Sequence, residues 1–242
     1  MSTIAEKLTT IAENEQKVYD KGMSDGEYDM WKCFTFNGTR TDHAHAFSYM
    51  DFSGKQAPKE LFQASENWEE MFYGYMGRIL PSGIDFSVWD SSYAPPNYSY
   101  FFYYSQYLEE IYGLKIPQID AYQMTFLSCP ELKRIEKIRV GVNTQFYNTF
   151  DFCEALSDVT FEGVIGKDIS FQYSPLSIAS MKNIISSLNN YAGTSDEANY
   201  TLTFTTACWE TLEASGKPYD DGLTEDATLT WKNYVISLGW NV

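Results

Sequence analysis

The chain has 242 residues, 44% hydrophobic and 21% charged, which is enough apolar material for a buried core and too much for a chain disordered as its main state. Thirty-three acidic against 17 basic residues leave a net charge of −16, a field that repels phosphate backbones and anionic lipid and makes nucleic acid and bare membrane poor partners. Rings are abundant, with 19 Tyr, 16 Phe and 6 Trp; large rings suit packed cores and contact surfaces alike.

Ile4, Leu8, Ile11 and Val18 step by 4, 3 and 7 and predict an amphipathic helix over 1–22, stopped at Gly22. Such a helix is marginal alone, so it packs on the body that follows or pairs with copies of itself as a coiled coil. The same opening carries Glu6, Glu13 and Glu15 and no apolar core of a secretory signal. No segment reaches the ~18–20 uninterrupted apolar residues of a membrane span. Synthesis in the cytoplasm without membrane insertion is expected. Cys33, Cys129, Cys153 and Cys208 lie far apart and read as reduced thiols.

Residues 23–176 carry a repeat. Phe102, Phe126 and Phe150 are 24 apart, as are Leu108, Leu132 and Leu156, then Ile111, Ile135 and Val159, then Ile116, Val140 and Val164. A further column reads Ser105, Cys129, Cys153, small and weakly polar. A 24-residue period lies in the range of leucine-rich repeats, in which no coil buries its apolar face alone and stacking makes one continuous core. Cys129 and Cys153 are then packed thiols in adjacent coils. Upstream the register loosens: Phe47 to Phe72 is 25 and Phe72 to Phe102 is 30, the surplus falling at Tyr93-Ala-Pro-Pro-Asn-Tyr98, a loop signal. Downstream, Phe171 opens a worn last repeat.

Residues 177–242 read as a cap. Ile178, Met181, Ile184, Ile185 and Leu188 keep helical spacing, Tyr200 to Thr205 alternates as a strand, and a last helix opens at Thr224, with Glu225 and Asp226 at its positive end, and closes at Gly239. The expected fold class is α+β: a solenoid of leucine-rich repeats between an N-terminal coiled-coil helix and a helical C-terminal cap.

The pattern F-x-x-C-x-x-L-x-x-I at Phe126–Ile135, with its counterpart at Phe150–Val159, resembles the BspA-like class of leucine-rich repeats. Three further pieces resemble a set found together in proteins of tailed phages and prophages of Gram-positive gut bacteria. These are the opening IAEKLTTIAENEQKVYDKG, the run from Gly163 to Leu176, and the ending with Thr-Leu-Thr-Phe and a final helix before Gly239-Trp240. The resemblance implies virion structure, in tail, baseplate or fibre, or host-surface recognition, with other virion proteins and a host glycan or protein as partners. It also implies a homo-oligomer, a trimer by likeness to phage fibre parts. Ser105 in place of Cys and the insertion at 93–100 depart from the pattern.

No catalytic, phosphate-binding or metal motif emerges, and no enzyme activity, cofactor or metal is expected. His43 and His45 share a strand face without a third ligand, and Glu109-Glu110 and Asp220-Asp221 read as solvated faces or turns. One segment asks for a functional reading: 93–107 holds six tyrosines and two phenylalanines. With Phe102 and Leu108 inward, Tyr93, Tyr98, Tyr100, Tyr103 and Tyr104 are left to face outward. There they serve an external ligand, a subunit interface or packing within the chain; exposed Tyr offers a rigid apolar plane with a hydroxyl. The competing readings are a bacterial protein–protein scaffold built on the repeat surface and a surface adhesin.

Overall fold

The computed structural model describes residues 48–51, 53, 70–80, 99–111, 122–218 and 229–242. The expected 1–22 helix with Ile4, Leu8, Ile11 and Val18, the histidine pair, Tyr93 and Tyr98 lie outside the described residues. Three short strands, β1 (Glu110–Ile111), β2 (Arg134–Val140) and β3 (Asp158–Gly163), form a parallel sheet in that order. Glu110 pairs with Arg134, Ile111 with Ile135, Arg134 with Asp158 and Ile135 with Val159, 24 residues apart each time. The apolar columns of the sequence therefore meet in space: Ile111, Ile135 and Val159 are all buried.

A second set of parallel bonds ties the phenylalanine-bearing turns. Phe102 N donates to Thr125 O at 2.9 Å and Phe126 N to Thr149 O at 3.1 Å; Tyr104 N reaches Leu127 O at 2.9 Å and Ser128 N reaches Asp151 O at 2.9 Å. Each donor meets a carbonyl 23 residues ahead. One rung earlier the step is 29, Phe72 N to Phe101 O at 3.0 Å and Gly74 N to Tyr103 O at 2.8 Å, so the six extra residues between Phe72 and Phe102 are taken up outside the ladder. Parallel rungs lie ~4.8 Å apart, a spacing that suits offset ring stacking. Phe72, Phe102, Phe126, Phe150 and Phe171 accordingly form one column, with successive centroids 5.5, 5.6, 5.7 and 4.7 Å apart and planes within 23°.

The column of Val140 and Val164 does not hold. Ile135 and Ile138 face the core three residues apart, opposite Val159 and Phe161 two residues apart, and Lys137, at φ 61°, is the extra residue of a bulge. Its N–H donates to Thr160 Oγ1 at 2.9 Å. Past the bulge Val140 pairs with Gly163, Val164 turns to solvent, and Ile165 takes the buried place. Gly163 is required there: at φ 118° a Cβ would lie 2.0 Å from Val140 O.

Helix α1 (Ile178–Ser186) is capped by Ser177, whose hydroxyl accepts from Ser180 N at 3.3 Å. It buries Met181, Ile184 and Ile185. It also finishes the sheet: Ser180 Oγ accepts from Val159 N at 2.9 Å and Asn183 Oδ1 from Phe161 N at 2.7 Å. Side chains thus satisfy backbone donors along the β3 edge, which would otherwise template further pairing.

A second parallel sheet runs β4 (Ile169–Phe171), β5 (Tyr200–Phe204), β6 (Trp240–Asn241), with Ile169 opposite Leu202 and Tyr200 opposite Trp240. Between β5 and β6 lie α2 (Thr206–Ala214) and α3 (Trp231–Ser237). α2 is a helix beyond the two expected over 177–242; Thr205 caps it through Cys208 N at 3.0 Å, and burial of Cys208, Trp209 and Leu212 holds it. The last helix begins at Trp231 with Thr230 as its cap, not at Thr224. The acidic group at its positive end comes from α2, since Glu213 accepts from Trp231 N at 2.9 Å and Lys232 N at 3.0 Å. Gly239 follows the helix at φ 82°, and a Cβ there would meet the Tyr191–Ala192 backbone at 2.8–2.9 Å. Among the described residues one apolar cluster runs from Met71 to Trp240. No helix among them is long and apolar enough to cross a membrane.

Candidate functional site

Tyr49, and then the residues two places after each column phenylalanine, Gly74, Tyr104, Ser128, Phe152 and Tyr173, form one series in which Gly74 is buried and the large rings are exposed. The first five share a left-handed backbone, φ 57°, 63°, 62°, 61° and 57°. This conformation lets the turn reverse while its alternate N–H groups reach the next rung. It costs an L-residue roughly 1–2 kcal/mol and is a genuine outlier for a bulky one. Glycine or asparagine meets the geometry without that strain, yet three of the five positions carry Tyr or Phe.

Those rings make a ridge. Tyr49 meets Tyr73 edge-on at 5.3 Å, Tyr73 meets Tyr103 at 5.2 Å, and Tyr103 meets Tyr100 at 5.8 Å and Tyr104 at 6.1 Å. Beyond a gap at Leu127 and Ser128, Phe152 stacks on Tyr173 at 4.5 Å and 19°. Tyr49, Tyr104, Phe152 and Tyr173 are 58%, 44%, 47% and 39% exposed. The Tyr49 ring fills the space a side chain at Gly74 would need, with Cε1 2.6 Å from an ideal Cβ there. A hydrogen bond to the Tyr49 side chain, with partial burial, pushes the Tyr73 phenol up to about 12. The ridge is a neutral, hydroxyl-edged apolar surface held by the backbone.

Of the tyrosines singled out from the sequence, Tyr104 is exposed, while Tyr100 and Tyr103 are half-buried against their neighbours. Tyr49, Tyr73, Phe152 and Tyr173 were missed. Their signal is the same column offset, one or two residues after Phe47, Phe72, Phe150 and Phe171.

The small polar column lies behind the ridge, in the core. Ser105 Oγ donates to Phe72 O at 3.0 Å, Cys129 Sγ to Phe102 O and Cys153 Sγ to Phe126 O, both at 3.1 Å. Burial pushes the Cys129 thiol up to about 12 and the Cys153 thiol well above its ordinary value, so both are protonated donors at neutral pH. Cys129, Cys153 and Cys208 are free and buried.

Glu109 lies on a solvated face, as expected, and is paired there. It takes hydrogen bonds from Arg78 Nε at 2.6 Å and Lys133 Nζ at 3.1 Å. Those bonds hold its carboxyl below the usual carboxylate range. The three residues join three successive rungs.

No family model, no curated protein and no solved structure matches this chain.

Proposed function

We propose that this protein is a non-enzymatic binding module of a phage virion. In this reading it is an α+β solenoid of leucine-rich repeats, assembled through its 1–22 helix into a homo-oligomer, a trimer by preference. The aromatic ridge meets a glycan or protein on the host surface. The observation that supports the recognition part is the ridge itself: Tyr49, Tyr104 and Phe152 keep large, exposed rings at left-handed backbone positions where glycine or asparagine is less strained. Strain retained at exposed positions points to selection for contact rather than for stability. The virion part rests on the resemblance of the repeat register, the opening helix and the closing run to proteins of tailed phages. Several copies on one particle turn weak single contacts into firm attachment.

The test is mass spectrometry of density-purified particles induced from the source strain. A fixed, multi-copy ratio of this chain to tail proteins supports the virion assignment; its presence only in the cell lysate overturns it in favour of an intracellular scaffold. Loss of host-cell binding by Tyr104→Ala, with an unchanged thermal midpoint, supports the ridge as the contact.

A further inference from the structure

A groove of about 440 Å³ opens between the 145–148 segment and the β4–β5 sheet, and none of its lining residues belongs to the ridge. Its size falls within the ~300–1,000 Å³ of small-molecule sites. Strand alternation builds it. In β5, Leu202 and Phe204 turn inward, so Thr201 and Thr203 turn outward. Ser170 stands opposite Thr203, and Thr201 N donates to Asp168 Oδ1 at 2.7 Å. From the other wall come Gln145, Asn148 and Tyr147, the last 61% exposed. Phe146 and Ile169, both buried, close the floor.

The result is a grid of amides, hydroxyls and one carboxylate beside a phenol ring. Alternate residues along a strand stand ~6.6 Å apart and neighbouring strands ~4.8 Å apart. Among the described residues, the one cation at the groove, Lys167, is turned to Tyr200, donating to its hydroxyl at 2.7 Å with its ammonium 4.5 Å from the ring centre. An anionic ligand meets the Asp168 carboxylate and a chain of net charge −16, against one lysine that already donates to Tyr200. An apolar ligand meets polar side chains on both walls. A peptide adding as a strand finds β5 paired on both sides, to β4 and to β6.

We infer that this groove is a binding site for a neutral, hydroxyl-rich saccharide, distinct from the aromatic ridge and independent of the virion reading. The Tyr147 ring offers the face for stacking, Gln145 and Asn148 supply paired donors and acceptors, Asp168 and the Thr201 and Thr203 hydroxyls take sugar hydroxyls.

Saturation-transfer NMR tests this with maltose, cellobiose, lactose and chitobiose at millimolar concentration on the full chain. Transfer to the protons of at least one sugar is expected. It should fall tenfold or more in affinity for Tyr147→Ala and for Thr203→Val, a near-isosteric change on an outward strand position, and should persist in Tyr104→Ala. Gln145→Ala, at an exposed residue, guards against loss of fold and should weaken the same sugar. Absence of transfer for all four sugars overturns the inference. So does transfer that the groove variants leave intact, or that Tyr104→Ala abolishes instead.

Discussion

The Cys153 thiol donates to the Phe126 carbonyl 3.1 Å away, 27 residues earlier in the chain and one rung back in the stack. Cys129 repeats the bond to Phe102, and the Ser105 hydroxyl makes it to Phe72. A column that reads from sequence as small hydrophobes is also a column of hydrogen-bond donors. It gives one buried carbonyl per rung a side-chain donor at a place where the backbone turns.

Replacement of Cys153 should therefore rank by donor rather than by polarity. Cys153→Ala removes the donor to a buried carbonyl and should cost about 1–3 kcal/mol. Cys153→Ser, which copies Ser105, should cost less. Urea unfolding of the two variants checks this; a serine variant less stable than the alanine variant contradicts the donor role.

Glu109 makes the stack acid-sensitive. Its folded carboxyl titrates below the ordinary glutamate value of about 4.3 because Arg78 and Lys133 hold the charged form. The unfolded chain thus takes up the proton first as pH falls, and the contribution is whole above that value and lost progressively as pH falls from it through the lower folded one. Thermal midpoints of the native chain and Glu109→Gln should differ most near pH 7 and converge only once the folded carboxyl is protonated too. A gap that widens in acid contradicts the assignment.

Gly163 sets the end of the β2–β3 ladder. Alanine there adds a Cβ 2.0 Å from Val140 O on a backbone at φ 118°, so backbone has to move on both strands. Gly163→Ala should destabilise by at least about 2 kcal/mol, above the usual cost of a left-handed residue. Gly193→Ala serves as the control for strain alone, since at φ 72° it meets no atom within 4 Å. Equal losses in the two variants would mean that the close approach to Val140 carries no weight.

The ridge predicts a trade between stability and contact. Tyr104→Asn accepts φ 62° with less strain than tyrosine and removes an exposed ring. The thermal midpoint should hold or rise, by up to about 1 kcal/mol of stability, while host-cell binding falls. A marked drop in midpoint would show that Tyr104 serves packing with Tyr103 instead.

The 24-residue spacing by itself determined which side chains meet. Phe102, Phe126 and Phe150 stack, and Ile135 pairs with Val159, because a parallel ladder of constant rung length turns sequence distance directly into contact. Short-range signals likewise placed α1 after Ser177 and a strand at Tyr200. Everything that breaks the period was decided by tertiary structure. The bulge at Lys137 sends Val164 outward. The N–H groups of Val159 and Phe161 find Ser180 and Asn183. Glu213 reaches the start of α3, and the saccharide groove gathers Tyr147, Asp168 and Thr203 from three segments with no common spacing. These depend on which distant groups the completed stack leaves unsatisfied or exposed, and no local pattern encodes that.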